Sequence, residues 1–186
     1  MAMNVYDFDH TIYRGDSTID FYFFCLRKHP QIIRCLPRQL MGAIQYKRKR
    51  ITKTKFKEQF YCFLPIIKNL DLEAAAFWDI YEVRIENWYR EQQEKEDCII
   101  SASPEFLLIE ICHRIGIQHL IASVVDQKGR YHGKNCRGEE KLRRFRAEFP
   151  GEIIHKFYSD SRVDAPLAEA AEQAYYVMRG KISPWN

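Results

Sequence analysis

Val5-Tyr6-Asp7-Phe8-Asp9-His10-Thr11 is the stretch on which the reading of this chain turns. Residues 3–8 make a short apolar run, the pattern of a buried strand, and the run ends in acidic residues. Side chains two apart on a strand share one face. Where the strand is ending, Asp9 can instead fold over Asp7. Such a pair is weak evidence alone, since Asp-x-Asp also caps helices and lines turns.

Working outward, a turn at Gly15 precedes Asp16, a plausible N-cap for a helix through Phe21-Tyr22-Phe23-Phe24-Cys25-Leu26. From there to about residue 96 the chain reads helical, broken at Pro30, Pro37 and Pro65. Residues 71–93 read as one long amphipathic helix, with Leu72, Phe77, Ile80, Tyr81, Ile85 and Trp88 near helical spacing. The pattern changes at 97. Cys98-Ile99-Ile100 is a strand-like run, Ser103-Pro104 reads as a helix start, and Gly116 reads as the matching stop. Strands are predicted over 119–125, 153–158 and 174–178, and helices over 139–148 and 163–173. Alternating strands and helices imply an α/β fold with a parallel sheet covered by helices on both faces. Residues 1–15 and 97–186 are expected to form that core, with 16–96 as an inserted helical cap.

Ligands bind beyond the carboxyl ends of strands in such a sheet. The predicted ends carry Asp7 and Asp9, then Ser101, then Asp160 and Asp164; Lys141 opens the helix before the last of these strands. Oxygen-ligated Mg²⁺ is usually held by one or two carboxylates plus phosphate and water, and Asp7 and Asp160 can supply the carboxylates. A carboxylate attacking phosphorus repels the phosphate, so Mg²⁺ and the Lys141 ammonium would offset that charge. A second carboxyl group at Asp9 can protonate the leaving alcohol and later activate water. Ser101 lies before a helix N-terminus, where N–H groups favour a phosphate oxygen. Lys134 competes with Lys141 for the ammonium role, and a helix-opening lysine is often merely solvated.

The set resembles the haloacid dehalogenase superfamily, in particular its Rossmann-like phosphatases with a helical cap after the first motif. The matching segments are Asp7-Phe8-Asp9-His10-Thr11, Ile99-Ile100-Ser101, Gly138-Glu139-Glu140-Lys141, and Ser159-Asp160-Ser161-Arg162-Val163-Asp164. Their order and spacing agree over nearly the whole chain. The resemblance is nearest to the branch of phosphoserine phosphatase and phosphatidylglycerophosphatase C. It implies Asp7 as nucleophile, Asp9 as acid/base with its carbonyl on Mg²⁺, and Asp160 as metal ligand. It also implies Thr11, Ser101 and Lys141 on the phosphate and Asp164 in support of the metal site. Asp16 falls where phosphoserine phosphatase has an acidic residue near the substrate amine. Two positions depart from the pattern. His10 stands where glycine is commonest, which points to a turn residue or an imidazole near the site. Ser101 is followed by Ala-Ser rather than Gly-Gly, which weakens phosphoserine as substrate.

The expected substrate is a phosphorylated small molecule or a lipid phosphate. The net charge of +4 is too weak to imply nucleic acid by itself. Its distribution says more: Phe21 to Lys57 holds eleven Lys and Arg and no Asp or Glu, whereas Glu58 to Asp97 holds ten acids and four bases. Such a segment is either a solvated face balanced by the acidic one, or a surface attracted to phosphate or an anionic membrane. The six cysteines lack the spacing of a zinc or redox site, so reduced thiols and a cytoplasmic protein are expected, peripheral at the inner membrane face if the basic segment binds lipid. Two other classes stay open: a catalytically weak binding module docking RNA or membrane through its basic cap, and a dehalogenase, whose chemistry needs neither Asp9 nor a metal.

Overall fold

The computed structural model describes residues 2–185. Six strands form one sheet in the order β3-β2-β1-β4-β5-β6. β1 (Ala2–Tyr6), β2 (Cys98–Pro104), β3 (His119–Ser123), β4 (Ile153–Ser159) and β5 (Ala171–Met178) run parallel, and β6 (Lys181–Pro184) is antiparallel at the edge. Period-two alternation splits the core between the faces. Tyr6, Ile99 and Tyr158 point into one apolar cluster, Val5, Ile100 and Phe157 into the other. α7 (Glu139–Glu148) and α8 (Ala165–Ala170) cover the second face through Phe145 and Leu167. α6 (Glu105–Arg114) and the helical block between β1 and β2 cover the first.

That block comprises α1 (Ser17–Lys28), α2 (Leu36–Lys47), α3 (Lys53–Phe60), α4 (Leu70–Tyr81) and α5 (Asn87–Gln92), with 3-10 turns at Pro30–Cys35, Tyr61–Ile66 and Glu82–Arg84. Asp16 caps α1 as expected, its Oδ1 accepting the Ile19 N–H at 3.0 Å. Trp78 anchors the block: its indole N–H donates to Leu107 O at 2.6 Å, and Phe8, Tyr13 and Phe77 surround its ring. Truncating such a residue costs about 3–5 kcal/mol.

Several expectations need correction. The single helix over 71–93 is broken at 82–86. Glu86 N–H donates to Ile12 O at 2.8 Å, Arg14 N–H donates to Arg84 O at 2.9 Å, and Ile85 bridges Tyr13. Pairing with the loop after β1 therefore overrides the local helical pattern. The buried stripe of α4 is Leu70, Ala74, Phe77 and Trp78, while Leu72 and Ile80 face solvent. The helix over 163–173 is only α8 after a 3-10 turn at Arg162–Asp164, because Ala171 to Gln173 pair with β4. The strand over 119–125 stops at Ser123, with Val125 making an isolated bridge to Tyr131. β6 was not expected. Its two-residue turn is Arg179-Gly180, both at positive φ, as hairpin turns of matching twist require.

Candidate active site

The sheet order reverses beside β1, between β1 and β4, and the acidic residues gather at that switch point, beyond the carboxyl ends of the two strands. The β1 loop is wound tightly: Phe8 O accepts from the N–H groups of Thr11, Ile12 and Tyr13. His10 sits at φ 57°, a left-handed conformation that Gly takes freely and His tolerates better than most residues. Its departure from the usual glycine is thus a turn residue, exposed at the cavity mouth.

Lys141 is fully buried at the start of α7, and its ammonium lies 2.8 Å from both Asp7 Oδ1 and Asp164 Oδ2. Lys134 is exposed on a separate surface groove and does not reach the site. Gly138 makes the Lys141 position possible. It is at φ 59°, its N–H donates to Asp164 Oδ1 at 3.2 Å, and a Cβ there would come within 3.2 Å of Val163 O. Ser159 adds a hydroxyl between the carboxylates, 3.0 Å from Asp164 Oδ2 and 3.4 Å from Asp7 Oδ2. Phe8 N–H also donates to Asp7 Oδ1 at 2.8 Å, leaving Oδ2 with only the long Ser159 contact among the described residues.

Asp9 folds over the same cavity. Its Oδ1 accepts the Ser17 N–H at 2.7 Å, and its Oδ2 accepts a short hydrogen bond from the Ser103 hydroxyl. This corrects the reading of Ser103 as a helix cap. β2 continues to Pro104, α6 has no side-chain cap, and the Ser103 hydroxyl is drawn across the cavity by the carboxylate. Ser101 Oγ accepts the Ser103 N–H at 3.1 Å, which leaves its own O–H free to donate. Thr11 differs from its expected place. It is buried off the cavity lining, and its Oγ1 accepts the Asp160 N–H at 3.0 Å, tying the β1 and β4 loops together.

Asp7, Asp9, Asp16, Ser101, Ser103 and Asp160 line one cavity of about 320 Å³. The helical block closes it with Ile19, Lys53, Phe56, Lys57, Phe60 and Tyr61. Neither Ser103 nor these block residues were singled out from the sequence as site residues; Ser103 carried a local helix-start signal, and the block residues carried none. Burial pushes the Asp9 carboxyl up to about 7, with Asp16 adding repulsion. Burial also raises Asp160, to about 6, with Asp7 adding to it. Asp7 is raised by burial and by Asp164, and only partly brought back by Lys141. Burial works against the Lys141 charge, yet the two carboxylates outweigh it and hold the ammonium well above its ordinary range. Lys57, whose ammonium donates to Ala102 O at 2.7 Å, is pushed down to about 8 by burial and then by Lys53.

The charge balance fits a hard cation. Asp7 and Asp164 share one ammonium, and Asp160 beside them forms no ion pair among the described residues. Among those residues no three His, Cys, Asp or Glu side chains converge on a metal position. Mg²⁺ needs fewer, since it commonly keeps one or two carboxylates and completes its shell with carbonyl, phosphate and water oxygens. All six cysteines are free. No helix among the described residues is long and apolar enough to cross a membrane.

A family model for haloacid dehalogenase-like hydrolases matches residues 5–169. No curated protein matches the sequence significantly. Among solved structures, a protein of unknown function from Bordetella pertussis Tohama I is 24% identical with a TM-score of 0.77, covering 93% of this chain and 88% of its own. A phosphoserine phosphohydrolase-like protein from Francisella tularensis is 16% identical, at TM-score 0.57 and coverages of 94% and 86%. A probable phosphoserine phosphatase from Vibrio cholerae is 10% identical, at TM-score 0.57 and coverages of 92% and 55%. At these identities the likeness is one of fold.

Proposed function

The chain belongs to the haloacid dehalogenase-like hydrolase family, and from that premise we propose that it is a Mg²⁺-dependent phosphomonoesterase acting through a phosphorylated Asp7. The observation that carries this reading is the buried Lys141 ammonium held between Asp7 and Asp164, directly behind the cavity that Asp7 and Asp160 line. A lone buried ammonium among three carboxylates is arranged to receive more cation and a phosphate dianion. The chain on either side of the helical block is the catalytic core, and the block is its cap.

In the first step an Asp7 oxygen attacks phosphorus while the bond from phosphorus to the ester oxygen breaks. Asp9, with its carboxyl near 7, is substantially protonated at neutral pH and gives its proton to the leaving alcohol. In the second step water attacks the same phosphorus, Asp9 takes its proton, and the acyl phosphate bond breaks to release phosphate and Asp7. The Ser101 hydroxyl donates to a non-bridging phosphate oxygen, and Lys141 balances the charge that accumulates there. Asp7, Asp160 and the Asp9 carbonyl would hold Mg²⁺, which supplies Lewis-acid stabilisation of the phosphoryl oxygens. Asp164 acts through Lys141, and Thr11 through Asp160, so both are positioning residues.

The substrate is a phosphorylated small molecule or the headgroup of a lipid phosphate. Asp16 offers a carboxylate to a substrate amine, and Lys57 and Lys53 offer ammonium groups to a further anion. Phosphoserine appears in the names of the Francisella and Vibrio proteins and is one arm of the substrate test. Phosphatidylglycerol phosphate is the other.

The test is hydrolysis of p-nitrophenyl phosphate by purified protein with Mg²⁺, compared with Asp7→Asn. The variant is nearly isosteric and should fold while losing ~10³-fold or more of kcat. More than about a tenth of wild-type activity remaining would remove Asp7 as nucleophile.

A further inference from the structure

α2 packs inside out. Its inward face carries Gln39 and Gly42, the two buried residues of the helix. Gln39 accepts the Tyr22 hydroxyl at 2.9 Å and donates to Phe60 O at 2.9 Å. Gly42 lets α3 approach so closely that a Cβ there would fall 3.0 Å from Gln59 Cβ. The polar and small residues thus face the protein. The apolar ones face water: Leu36 is 36% exposed, Leu40 61%, Met41 54% and Ile44 47%, and Ile33 continues the row from the preceding 3-10 turn. The spacing 36, 40, 44 places these side chains above one another along one stripe. A surface helix ordinarily shows the opposite arrangement.

The same stretch is ringed with unpaired cations. Lys28 pairs with Glu73 and Lys55 with Glu58. Arg34 and Arg38 beside the stripe, and Lys47, Arg48, Lys49 and Arg50 past its end, face solvent with no carboxylate partner among the described residues. No acid lies anywhere between Phe21 and Lys57 to repel an anionic surface.

We propose that α2 is an interfacial helix whose outward face, Leu36, Leu40, Met41 and Ile44 with Arg34, Arg38 and Lys47 to Arg50, docks on an anionic phospholipid bilayer. Twelve residues span about 18 Å, too short to cross a bilayer but suited to lying in its plane. The aliphatic side chains enter the boundary between headgroups and acyl chains, and the long cationic side chains reach the lipid phosphates around them. The position favours a role near catalysis. α2 backs onto α3, whose Lys53, Phe56, Lys57 and Phe60 line the cavity, and Tyr46 of α2 stacks on Phe56 with centroids 5.3 Å apart. A docked α2 thus sets the cavity one helix away from the lipid surface. The inference goes beyond the phosphatase reading and does not depend on it.

Co-sedimentation with vesicles tests it without any turnover. Wild-type protein should bind vesicles of equal parts phosphatidylglycerol and phosphatidylcholine, bind pure phosphatidylcholine at least about tenfold more weakly, and be released by salt. Leu40→Ser with Ile44→Ser should weaken binding by about tenfold or more while leaving p-nitrophenyl phosphate turnover unchanged. Changing Lys47, Arg48, Lys49 and Arg50 together to Gln should remove the salt dependence. Binding to no vesicle would overturn the proposal, as would binding that the Leu40 and Ile44 substitutions leave intact. So would a concentration-dependent dimer abolished by those substitutions in protein that ignores vesicles; that result would give this face to a second copy of the chain.

Discussion

Lys141→Met is the substitution that probes the site most directly, because it removes a charge and keeps nearly the same length. In the wild type one buried ammonium sits 2.8 Å from each of two buried carboxylates. Methionine leaves Asp7 and Asp164 facing each other across an apolar side chain. Removing one member of a buried, hydrogen-bonded ion cluster costs about 3–5 kcal/mol. For a chain of this size that is a fall in Tm of about 6–20 °C. The loss should also depend on pH. Burial already holds the Asp7 proton more tightly in the folded chain than at its ordinary value of 3.8, and losing Lys141 tightens it further. A group raised in this way favours the folded state as it takes up its proton. The deficit is therefore largest above the raised folded-state value and shrinks as pH falls toward 3.8. Adding Asp164→Asn to Lys141→Met removes one stranded carboxylate and should restore part of the loss at neutral pH. Thermal melts followed by circular dichroism in EDTA, so that no divalent ion substitutes for the ammonium, measure all three. A Lys141→Met protein that melts within about 1 °C of wild type, or whose deficit is the same at every pH, would refute the account of Lys141 as the cation on which two buried carboxylates depend.

Three further outcomes follow from the same geometry. Chelation should abolish phosphatase activity and Mg²⁺ should restore it, whereas Zn²⁺ alone restoring the full rate would contradict an all-oxygen site. Ser103→Ala removes a hydrogen bond to Asp9 worth about 0.5–1.5 kcal/mol, so kcat/KM should fall about 2- to 10-fold, and an unchanged value would dismiss Ser103 from the site. Lys57 is charged below about 8 and neutral above it, so KM for an anionic ester should climb as pH passes that value; Lys57→Met should raise KM at neutral pH and flatten the climb.

What could be read from the sequence is what depends on short segments. Asp7, Asp9, Asp160 and Asp164 follow strand ends, Ser101 closes the apolar run of β2, and Lys141 lies in a first helical turn behind Gly138, so a few neighbouring residues place each of them. The missed features depend on distant partners. Ile85 keeps helical spacing with Tyr81 and Trp88, and only its pairing with Tyr13, about seventy residues earlier, takes it out of the helix. Ser103-Pro104 has the local signature of a cap, and only a carboxylate 94 residues away claims the hydroxyl. Lys57 and Phe56 look like any residues of a basic helix until α3 is folded over the cavity. α2 shows an apolar stripe by spacing, but spacing does not say which side of a helix meets the protein.

The lacing of residues 12–14 to residues 84–86 bears on how this enzyme can be re-engineered. At its entry the helical block reaches the loop through Ser17, whose N–H holds Asp9; at its exit it reaches the same loop through Arg84, Ile85 and Glu86. Both clasps therefore hold the loop between β1 and α1 that carries the acid/base group. A minimal version made by bridging residues 16 and 97 with a short linker would cut both clasps at once. It would keep every motif residue and still let Asp9 drift. A graft of another helical block should succeed only if the donor keeps a backbone N–H at position 17 and an extended segment at 84–86. The transplantable unit is the block together with its two clasps.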